Sequence, residues 1–525
     1  MLTYILLTLL LFAGLLGVAW YLNTRQCVPG AFHLPTYPFV GHAFLVQNNP
    51  ARQFMAWAEK YRRSCFVIRL GITPVLVVNS HQQVSELWLR HSQATSSRPV
   101  FHTFHNIVSA TQGFTVGSTP AGASCQRKKK CIGKQLSPGI VGSVWASDII
   151  DNHSKRVVRH LLRKSMARFG SRTPLDDWSL LRHAQYFVLG CALQYTYGIR
   201  LDAYGKHAKL ADTVAETENK IIRLRSPLAN YQDYIPLVRR LAVSTKAEVA
   251  AKSRDKYMDS FFRAFEMNFR KNNPDAVSCL LGRVAAGPSK LSVSEIRSIC
   301  LTMVSAGLDN IALSYDHLMG HLATPEGYKM QNRLFHDLMG IYGSSSAAWR
   351  GVARENRSVY ALALIHETMR FFTVLPLSLP RETTRKVLFN GMVIPKGTIL
   401  LMNAFAADHD EEVFKEPYQF IPERWIDEKY QIVDETKLRH FGFGAGSRKC
   451  SGIALAIKEF YVLLCRTVLV FHVKRPLNPA DEMEMDPFKA NSCPSATSFE
   501  PREFKVWLKP RFAPGFGELH TRIFN

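Results

Sequence analysis

Acidic residues are scarce in this 525-residue chain: Asp and Glu number 42 against 66 Lys and Arg, for a formal net charge of +24. Such an excess predicts an acidic partner, which is a nucleic acid, an anionic membrane face, an acidic protein or a ligand with carboxylates. Cysteine is also scarce, at ten residues, which excludes a disulfide scaffold. The 47% of apolar residues excludes a disordered or collagen-like chain.

Motifs of several other protein classes are missing from the sequence. There is no zinc-finger spacing and no helix-turn-helix signal, which argues against nucleic acid as the acidic partner. There is no G-x-G-x-x-G motif and no flavin segment, which argues against a dinucleotide-binding domain within the chain. No internal repeat or low-complexity linker divides the chain, and we expect a single body after the N-terminal segment.

The one long apolar run, at the N-terminus, predicts a membrane anchor. Residues 2–22 carry no charge, and this length of helix spans roughly 31 Å, enough to cross a hydrocarbon core. The run is longer than the apolar part of a cleaved signal peptide, the alternative interpretation. Tyr4, Trp20 and Tyr21 lie near its ends, as in aromatic belts, and Arg25 follows it, which predicts a cytosolic location for the remainder.

Apolar periodicity predicts a mainly α fold with a small β part. Apolar residues recur at helical spacing over 140–271, and a capping-box pattern begins a long apolar helix over 292–322. Residues 66–78 are typical of a β-hairpin, and strand signals return at 387–402 and 504–508. We therefore expect mostly helices around a few short strands.

The segment Phe443-Gly-Ala-Gly-Ser-Arg-Lys-Cys-Ser-Gly452 carries the clearest chemistry in the sequence. Its glycines allow a sharp turn and the close approach of a flat ligand. Arg448 is a fixed cation, and Cys450 precedes a helix start, where backbone N–H groups lower the pKa of a thiol and favour metal ligation. No second cysteine lies at zinc spacing, so the pattern favours an axial thiolate of haem iron over structural zinc or a core cysteine.

Four motifs make the chain resemble the cytochrome P450 family. The family's E-x-x-R motif matches Glu367 to Arg370, its F-x-P-x-R-W motif matches 420–425, and its A-G-x-D-T motif matches 306–310 with one departure. The resemblance covers essentially the whole chain and implies a cytochrome P450 fold, with an anchor at 1–24 and a haem-thiolate catalytic domain at 25–525. The haem-binding signature F-x-x-G-x-R-x-C-x-G matches Phe443, Gly446, Arg448, Cys450 and Gly452.

The resemblance implies how haem b would be held. Cys450 would be the axial iron ligand, within a loop shaped by the other signature residues. Arg448 corresponds to a propionate ligand, and Arg381 falls where the family places another, with a surface arginine as the alternative. In the segment 125–131, which aligns with a helix that reaches a propionate, the family's tryptophan is absent. Either Arg127 or Lys129 would supply the cation there, or the segment is a solvated basic face.

Two other motif groups have different implied roles. Glu367, Arg370 and Arg424 resemble the family's buried ionic cluster under the haem, a structural role. Asp309 and Asn310 take the position of the acid–alcohol pair that delivers protons to dioxygen, and we predict both as catalytic residues. Because an amide does not relay protons as a hydroxyl does, Asn310 puts the coupling of electrons to product in question, with ordered water as the alternative relay.

The resemblance is closer to the fungal phenylacetate-hydroxylase group, through blocks at 101–117, 223–237 and 372–383. It implies a monooxygenase that inserts one atom of O2 into an aryl-bearing organic substrate. Electrons would come from NADPH through a separate NADPH–cytochrome P450 reductase, with cytochrome b5 as a second candidate donor. The departures favour a role in fungal secondary-metabolite biosynthesis. The alternatives are a catabolic phenylacetate-type hydroxylase and a haem-thiolate isomerase or dehydratase that needs no reductase.

The same resemblance implies a location and a pocket. We expect the endoplasmic reticulum membrane, with the single-pass anchor holding a cytosolic catalytic domain. The pocket would be lined by 101–113, 304–307, 373–377 and 495–498, although ordinary core packing is the alternative for each of these apolar stretches.

Overall fold

Helices make up most of the molecule, as the apolar periodicity predicts. The computed structural model describes residues 2–24, 27–37, 39–167, 179–226, 228, 230–235, 239, 244–288, 290–512 and 523. Their α-helices are α1 Leu2–Thr24, α2 Pro50–Tyr61, α3 His81–Ser85, α4 Ala123–Gln135, α5 Pro138–Val141, α6 Val144–Ala167, α7 Leu181–Tyr197, α8 Ala208–Leu224, α9 Thr245–Arg270, α10 Pro274–Ser278, α11 Leu280–Ala286, α12 Val293–Leu322, α13 Pro325–Tyr342, α14 Ser345–Gly351, α15 Val359–Phe371, α16 Ala404–Asp408 and α17 Ile453–Val470.

Shorter helical turns connect these elements. Two of them are π-helical, Glu86–Arg90 and His102–Val108. The 3-10 turns are Tyr231–Asp233, Pro422–Trp425, Gly446–Arg448 and Pro479–Asp481.

The β part is small and forms three sheets within the described ranges. A four-stranded sheet has the order β1-β2-β6-β3, with β2 and β6 parallel and the other pairs antiparallel. The pairs β4–β5 and β7–β8 are antiparallel. The predicted hairpin is confirmed as β1 and β2. The strands are β1 Cys65–Leu70, β2 Thr73–Val78, β3 Arg381–Glu382, β4 Val387–Phe389, β5 Met392–Ile394, β6 Ile399–Met402, β7 Phe471–Lys474 and β8 Trp507–Pro510.

The strand predicted over 504–508 begins later than its apolar pattern indicates. Phe504 and Val506 are buried, but pairing with β7 starts only where Trp507 lies opposite Lys474. Burial alone therefore produced the strand-like pattern in the first half of this stretch.

The long helix α12 passes through the core and packs against α7, α13 and α17. Its start is the predicted capping box: the Glu295 N–H donates to Ser292 Oγ at 3.2 Å, and the Ser292 N–H donates to the Glu295 carboxylate at 3.0 Å. These two bonds satisfy donors that a helix start would otherwise leave unpaired. The predicted helix over 292–322 is confirmed.

Two apolar helices bear on the predicted anchor. Among the described residues α12 is long and apolar enough to cross a membrane, but most of its apolar window is buried inside the protein, as in a core helix. The described apolar stretch of α1, Tyr4–Val18, is exposed along its whole length and shorter than a full span. The anchor over 1–24 stays a prediction, supported by an exposed, uncharged helix.

Candidate functional site

A tight loop before α17 presents Cys450. The Cys450 N–H donates to the Phe443 carbonyl at 2.9 Å, and the Gly452 N–H donates to Cys450 Sγ at 3.3 Å. Gly446 has φ 59°, and any side chain there would strike the Trp88 carbonyl, so only glycine fits this close approach. The loop thus closes on itself and gives the sulfur one backbone donor.

The Cys450 side chain has accessible surface although protein surrounds it on most sides. Burial raises the pKa of the Cys450 thiol, and the Gly452 N–H and Lys449 offset this only in part. The prediction of a lowered pKa from the helix start is therefore wrong for the protein alone, because desolvation outweighs the nearby donor. A bound metal ion deprotonates a coordinating thiol outright, so this does not conflict with ligation.

A buried carboxyl that the sequence motifs did not indicate holds the entry to this loop. Asp408, the last residue of α16, accepts the Phe441 N–H at 2.7 Å and lies 3.4 Å from Thr373 Oγ1. Burial raises the pKa of Asp408 well above its usual range. No spacing rule links 408 to 441, so only the fold reveals this contact.

Behind the loop lies a buried ionic cluster. Glu367 and Arg370 share a face of α15 and are both fully buried, with Glu367 Oε1 2.7 Å from Arg370 Nη2. Glu367 also accepts from Trp425 Nε1 at 2.8 Å and from Arg424 Nε at 3.3 Å. The structure thus brings the two predicted motifs together and ties α15 to the 3-10 turn that ends at Trp425.

Three arginines gather beside the Cys450 loop: Arg98, Arg381 and Arg448. Their hydrogen bonds within the described part of the chain go to backbone carbonyls and one thiol, and none goes to a carboxylate. Arg448 Nη1 lies 2.7 Å from Cys125 Sγ. The carbonyl acceptors are Ala445 for Arg381, Thr119 for Arg448, and Gly117, Leu379 and Pro380 for Arg98.

These three arginines, which we call the cationic cluster, fit an anionic cofactor. Arg381 Nη1 and Arg448 Nε are buried and have no hydrogen-bond partner among the described residues. Burial, together with repulsion from Arg448, lowers the pKa of Arg381 to about 9, and burial also lowers the pKa of Arg448. Unpaired buried cations are costly. Two carboxylates on a flat ligand that reaches Cys450 would satisfy them, as the propionates of haem would.

The structure distinguishes the two cations that the sequence left open on α4. Arg127 pairs with Glu295 at 2.7 Å and is half exposed. Lys129 donates to the Ser447 carbonyl, inside the Cys450 loop. Burial and the nearby Arg448 lower the pKa of Lys129. Lys129 therefore belongs to the cationic cluster, and Arg127 does not.

The two predicted catalytic residues on α12 contact different partners. Asn310 Nδ2 donates back to the Ala306 carbonyl at 2.9 Å, and its Oδ1 is buried with no hydrogen-bond partner within the described ranges. Asp309 is buried toward α8. The side-chain amide of Asn219 is oriented so that both its nitrogen and its oxygen form hydrogen bonds. In this orientation the Asn219 nitrogen donates to Asp309 Oδ1 at 2.9 Å. Burial, followed by repulsion from carboxylates, raises the pKa of Asp309 to about 8.

A narrow cavity, which we call the aryl pocket, adjoins the cationic cluster. Arg98 belongs to its wall, and a neighbouring cavity shares Pro380 and Thr497 with it. Segments 101–113 and 495–498, which the sequence predicted, contribute to it, whereas 304–307 lines neither cavity. Sequence reasoning missed Arg225. The wall residues are Arg98, Pro99, Phe101, Phe104, His105, Gly117, Ser118, Arg225, Leu379, Pro380 and Thr497.

A larger cavity of the described residues lies elsewhere. It has a volume of about 480 Å³ and is lined by α6 and the segment 199–206. None of the motif residues borders it, and arginines dominate its wall. Size therefore does not identify the reaction site here, and the chemistry of the Cys450 loop does.

The comparisons with known proteins agree with one another. The cytochrome P450 family profile matches residues 33–495. The chain is 35% identical over 486 residues to phenylacetate 2-hydroxylase of Emericella nidulans, covering 92% of this chain and 91% of that protein. It is 33% identical over 497 residues to 3-hydroxyphenylacetate 6-hydroxylase of the same fungus, covering 94% and 91%. It is 32% identical over 520 residues to cytochrome P450 monooxygenase CYP3 of Mycosarcoma maydis, covering 96% and 92%.

Proposed function

Because the chain belongs to the cytochrome P450 family and is a monooxygenase of that family, we propose that it hydroxylates an aryl-bearing small molecule with dioxygen. A separate reductase would deliver the electrons from NADPH. The observation that carries this proposal is the pairing of the Cys450 loop with the cationic cluster, next to a pocket walled by Phe101 and Phe104.

The chain's own residues have separable tasks in this proposal. Haem, when bound, supplies dioxygen activation, favoured by electron donation from an axial thiolate. Cys450 would hold the iron, and the cationic cluster with Lys129 would hold the propionates. Phe101 and Phe104 would orient the ring and exclude water. The Asp309 carboxyl keeps its proton at neutral pH, since its pKa is about 8. It would therefore act as the proton donor for the reduction of dioxygen.

The choice among substrates follows the relatives and the pocket. Two similar proteins are named as hydroxylases of phenylacetate and of 3-hydroxyphenylacetate, which favours a phenylacetate-type hydroxylase. The expected place in secondary-metabolite biosynthesis stays a prediction. The isomerase or dehydratase alternative differs in one requirement, because it would turn over without NADPH and a reductase.

Membrane attachment is part of the same proposal. α1 is uncharged, and its side chains from Tyr4 to Val18 are exposed to solvent. Transfer of these apolar side chains from water into lipid is favourable. We propose a single-pass anchor in the endoplasmic reticulum with the catalytic domain in the cytosol.

The test is a difference spectrum of the reduced, carbon-monoxide-bound protein in microsomes. The full chain should sediment with membranes and give a strongly red-shifted Soret band, as thiolate-ligated haem does. Cys450→Ser should abolish that band, while Cys131→Ser, a half-buried cysteine on α4, should keep it. A histidine-type band in the wild type, or a full band in Cys450→Ser, would show that Cys450 is not the ligand.

Turnover then separates the two reaction classes. With reductase and NADPH, the wild type should convert phenylacetate or a related aromatic compound to a hydroxylated product. Product formed equally well without NADPH would instead support the isomerase or dehydratase alternative.

A further inference from the structure

Arg225 places a guanidinium in the wall of the aryl pocket. It follows the last residue of α8, and its N–H donates to the Ile221 carbonyl at 2.9 Å, so the helix end fixes its backbone. The guanidinium carbon lies 5.2 Å from the centre of the Phe104 ring. Like Cys450, Arg225 is surrounded by protein yet has accessible surface, because it faces a cavity.

This guanidinium has no anionic partner in the described part of the chain. The acid that interacts most with it is Glu218, which already accepts two hydrogen bonds from Arg254, at 2.9 and 2.6 Å, and one from Tyr257. Burial and repulsion from Arg254 lower the pKa of Arg225 to about 10, so it stays charged at neutral pH. A buried cation without a counter-ion is costly, and an anionic ligand would relieve that cost.

The other polar groups of the pocket do not compete for this role. Arg98 is engaged by three backbone carbonyls. The nitrogens of His105 contact backbone atoms of Phe101 and Ser118, and burial lowers its pKa, so it is neutral. Thr497 is different, because its Oγ1 is buried, lies in the same wall and has no hydrogen-bond partner in the part of the chain that the structure describes.

From this geometry we propose that Arg225 binds the carboxylate of a small aromatic acid, with Thr497 Oγ1 as a second donor and the ring against Phe101 and Phe104. The inference rests on the proposed function and assigns the residues that would recognise the acid group of a phenylacetate-type substrate. Guanidinium–carboxylate bonds are charge-assisted and bidentate, so this contact would select acids over neutral analogues of the same shape.

The test compares phenylacetate with phenylacetamide, which has the same ring and length but no charge. Binding is followed by the Soret shift of the haem-loaded full chain. The wild type should bind the acid at least about tenfold more tightly than the amide, and Arg225→Met should lose about tenfold for the acid with little change for the amide. Lys220→Met removes the same charge from an exposed position of α8 and should match the wild type.

A milder variant keeps the test decisive if Arg225→Met does not fold. Thr497→Val is nearly isosteric and should weaken acid binding severalfold, with a smaller loss for the amide, because a hydroxyl donates a stronger hydrogen bond to a carboxylate than to an amide carbonyl. A wild type that binds acid and amide equally would overturn the inference. So would an Arg225→Met protein that keeps both its haem and the acid preference of the wild type, because Arg225 would then not be the group that binds the carboxylate.

The two proposals fail in different ways. If neutral aromatic compounds are hydroxylated with NADPH and acids are neither bound nor converted, the role of Arg225 is wrong and the monooxygenase proposal stands. If the wild type lacks the red-shifted band, the proposed function fails and the assignment of Arg225 fails with it.

Discussion

Asp309 is the residue whose environment says most about proton supply. It lies among neutral amides and near Glu218 and Glu500, with Arg254 as a weaker opposing influence, and burial is the main cause of its raised pKa. The carboxyl therefore keeps its proton up to pH about 8, against 3.8 for an ordinary aspartate. If Asp309 is the proton donor, the donor is therefore present at neutral pH and is lost as the pH rises through 8.

The matching prediction concerns product yield per NADPH. Asp309→Asn removes the acidic proton, and we expect the yield to fall about tenfold or more, within the range of general-acid contributions. The wild-type yield should decline above pH 8, and the variant should lack that decline. Product and NADPH are measured together from pH 6 to 9.

Asp316 is a matched control on the same helix. It is also buried, and burial raises its pKa to about 8, but its hydrogen bond comes from the Leu181 backbone. Asp316→Asn should keep both the yield and its pH dependence. If the two variants behave alike, the effect of Asp309 is structural rather than catalytic.

At the scale of single residues, the sequence indicated candidate site residues more readily than the contacts that those residues make. Arg127 and Lys129 are two positions apart on α4, so their side chains leave the helix in nearly opposite directions. Only the packing of α4 shows that Lys129 reaches Ser447 while Arg127 reaches Glu295. Arg225 lies in the block 223–237 that resembles the phenylacetate-hydroxylase group, but nothing in the sequence indicated a pocket contact, because a charged residue at a helix end is usually solvated.

At the scale of elements, Glu367 joins α15 to the 3-10 turn Pro422–Trp425. Glu367→Gln would leave Arg370 buried without its counter-charge, and we expect a loss of about 3–5 kcal/mol in the free energy of unfolding. The measurement is denaturant unfolding of the haem-loaded protein, followed by circular dichroism and by the Soret band.

Glu423 provides the control from the same 3-10 turn. Its ion pair with Arg333 is nearly half exposed on both sides, and such pairs contribute at most about 1 kcal/mol. Glu423→Gln should therefore unfold almost as the wild type does. Equal losses in the two variants would mean that the buried pair has no special role in holding the turn.

Local patterns predicted elements well where the element is set by adjacent residues. The capping box of α12 and the hairpin of β1 and β2 depend on neighbours in the chain, and both were predicted. The contact between Trp425 and Glu367 spans 58 positions. The raised pKa of Cys450 depends on the burial that the whole fold imposes. No periodicity encodes either feature.

At the scale of the whole molecule, the excess of positive charge needs a place to act. On α4, Lys130 and Lys134 are exposed, and the neighbouring Lys129 reaches the Cys450 loop. This helix therefore shows solvent a basic surface beside the Cys450 loop. An acidic reductase surface would be attracted to it, which mainly raises the rate of association.

We expect Lys130→Glu to slow reduction by the reductase severalfold at low salt without changing the carbon-monoxide spectrum. The difference should shrink as salt rises, because the screening length falls from about 10 Å at 0.1 M to about 3 Å at 1 M. Lys252→Glu makes the same charge change at an exposed position of α9, which packs against the π-helical segment of the aryl-pocket wall. Stopped-flow reduction of both variants decides the matter: if Lys252→Glu slows the reaction as much as Lys130→Glu, net charge rather than the α4 surface governs docking.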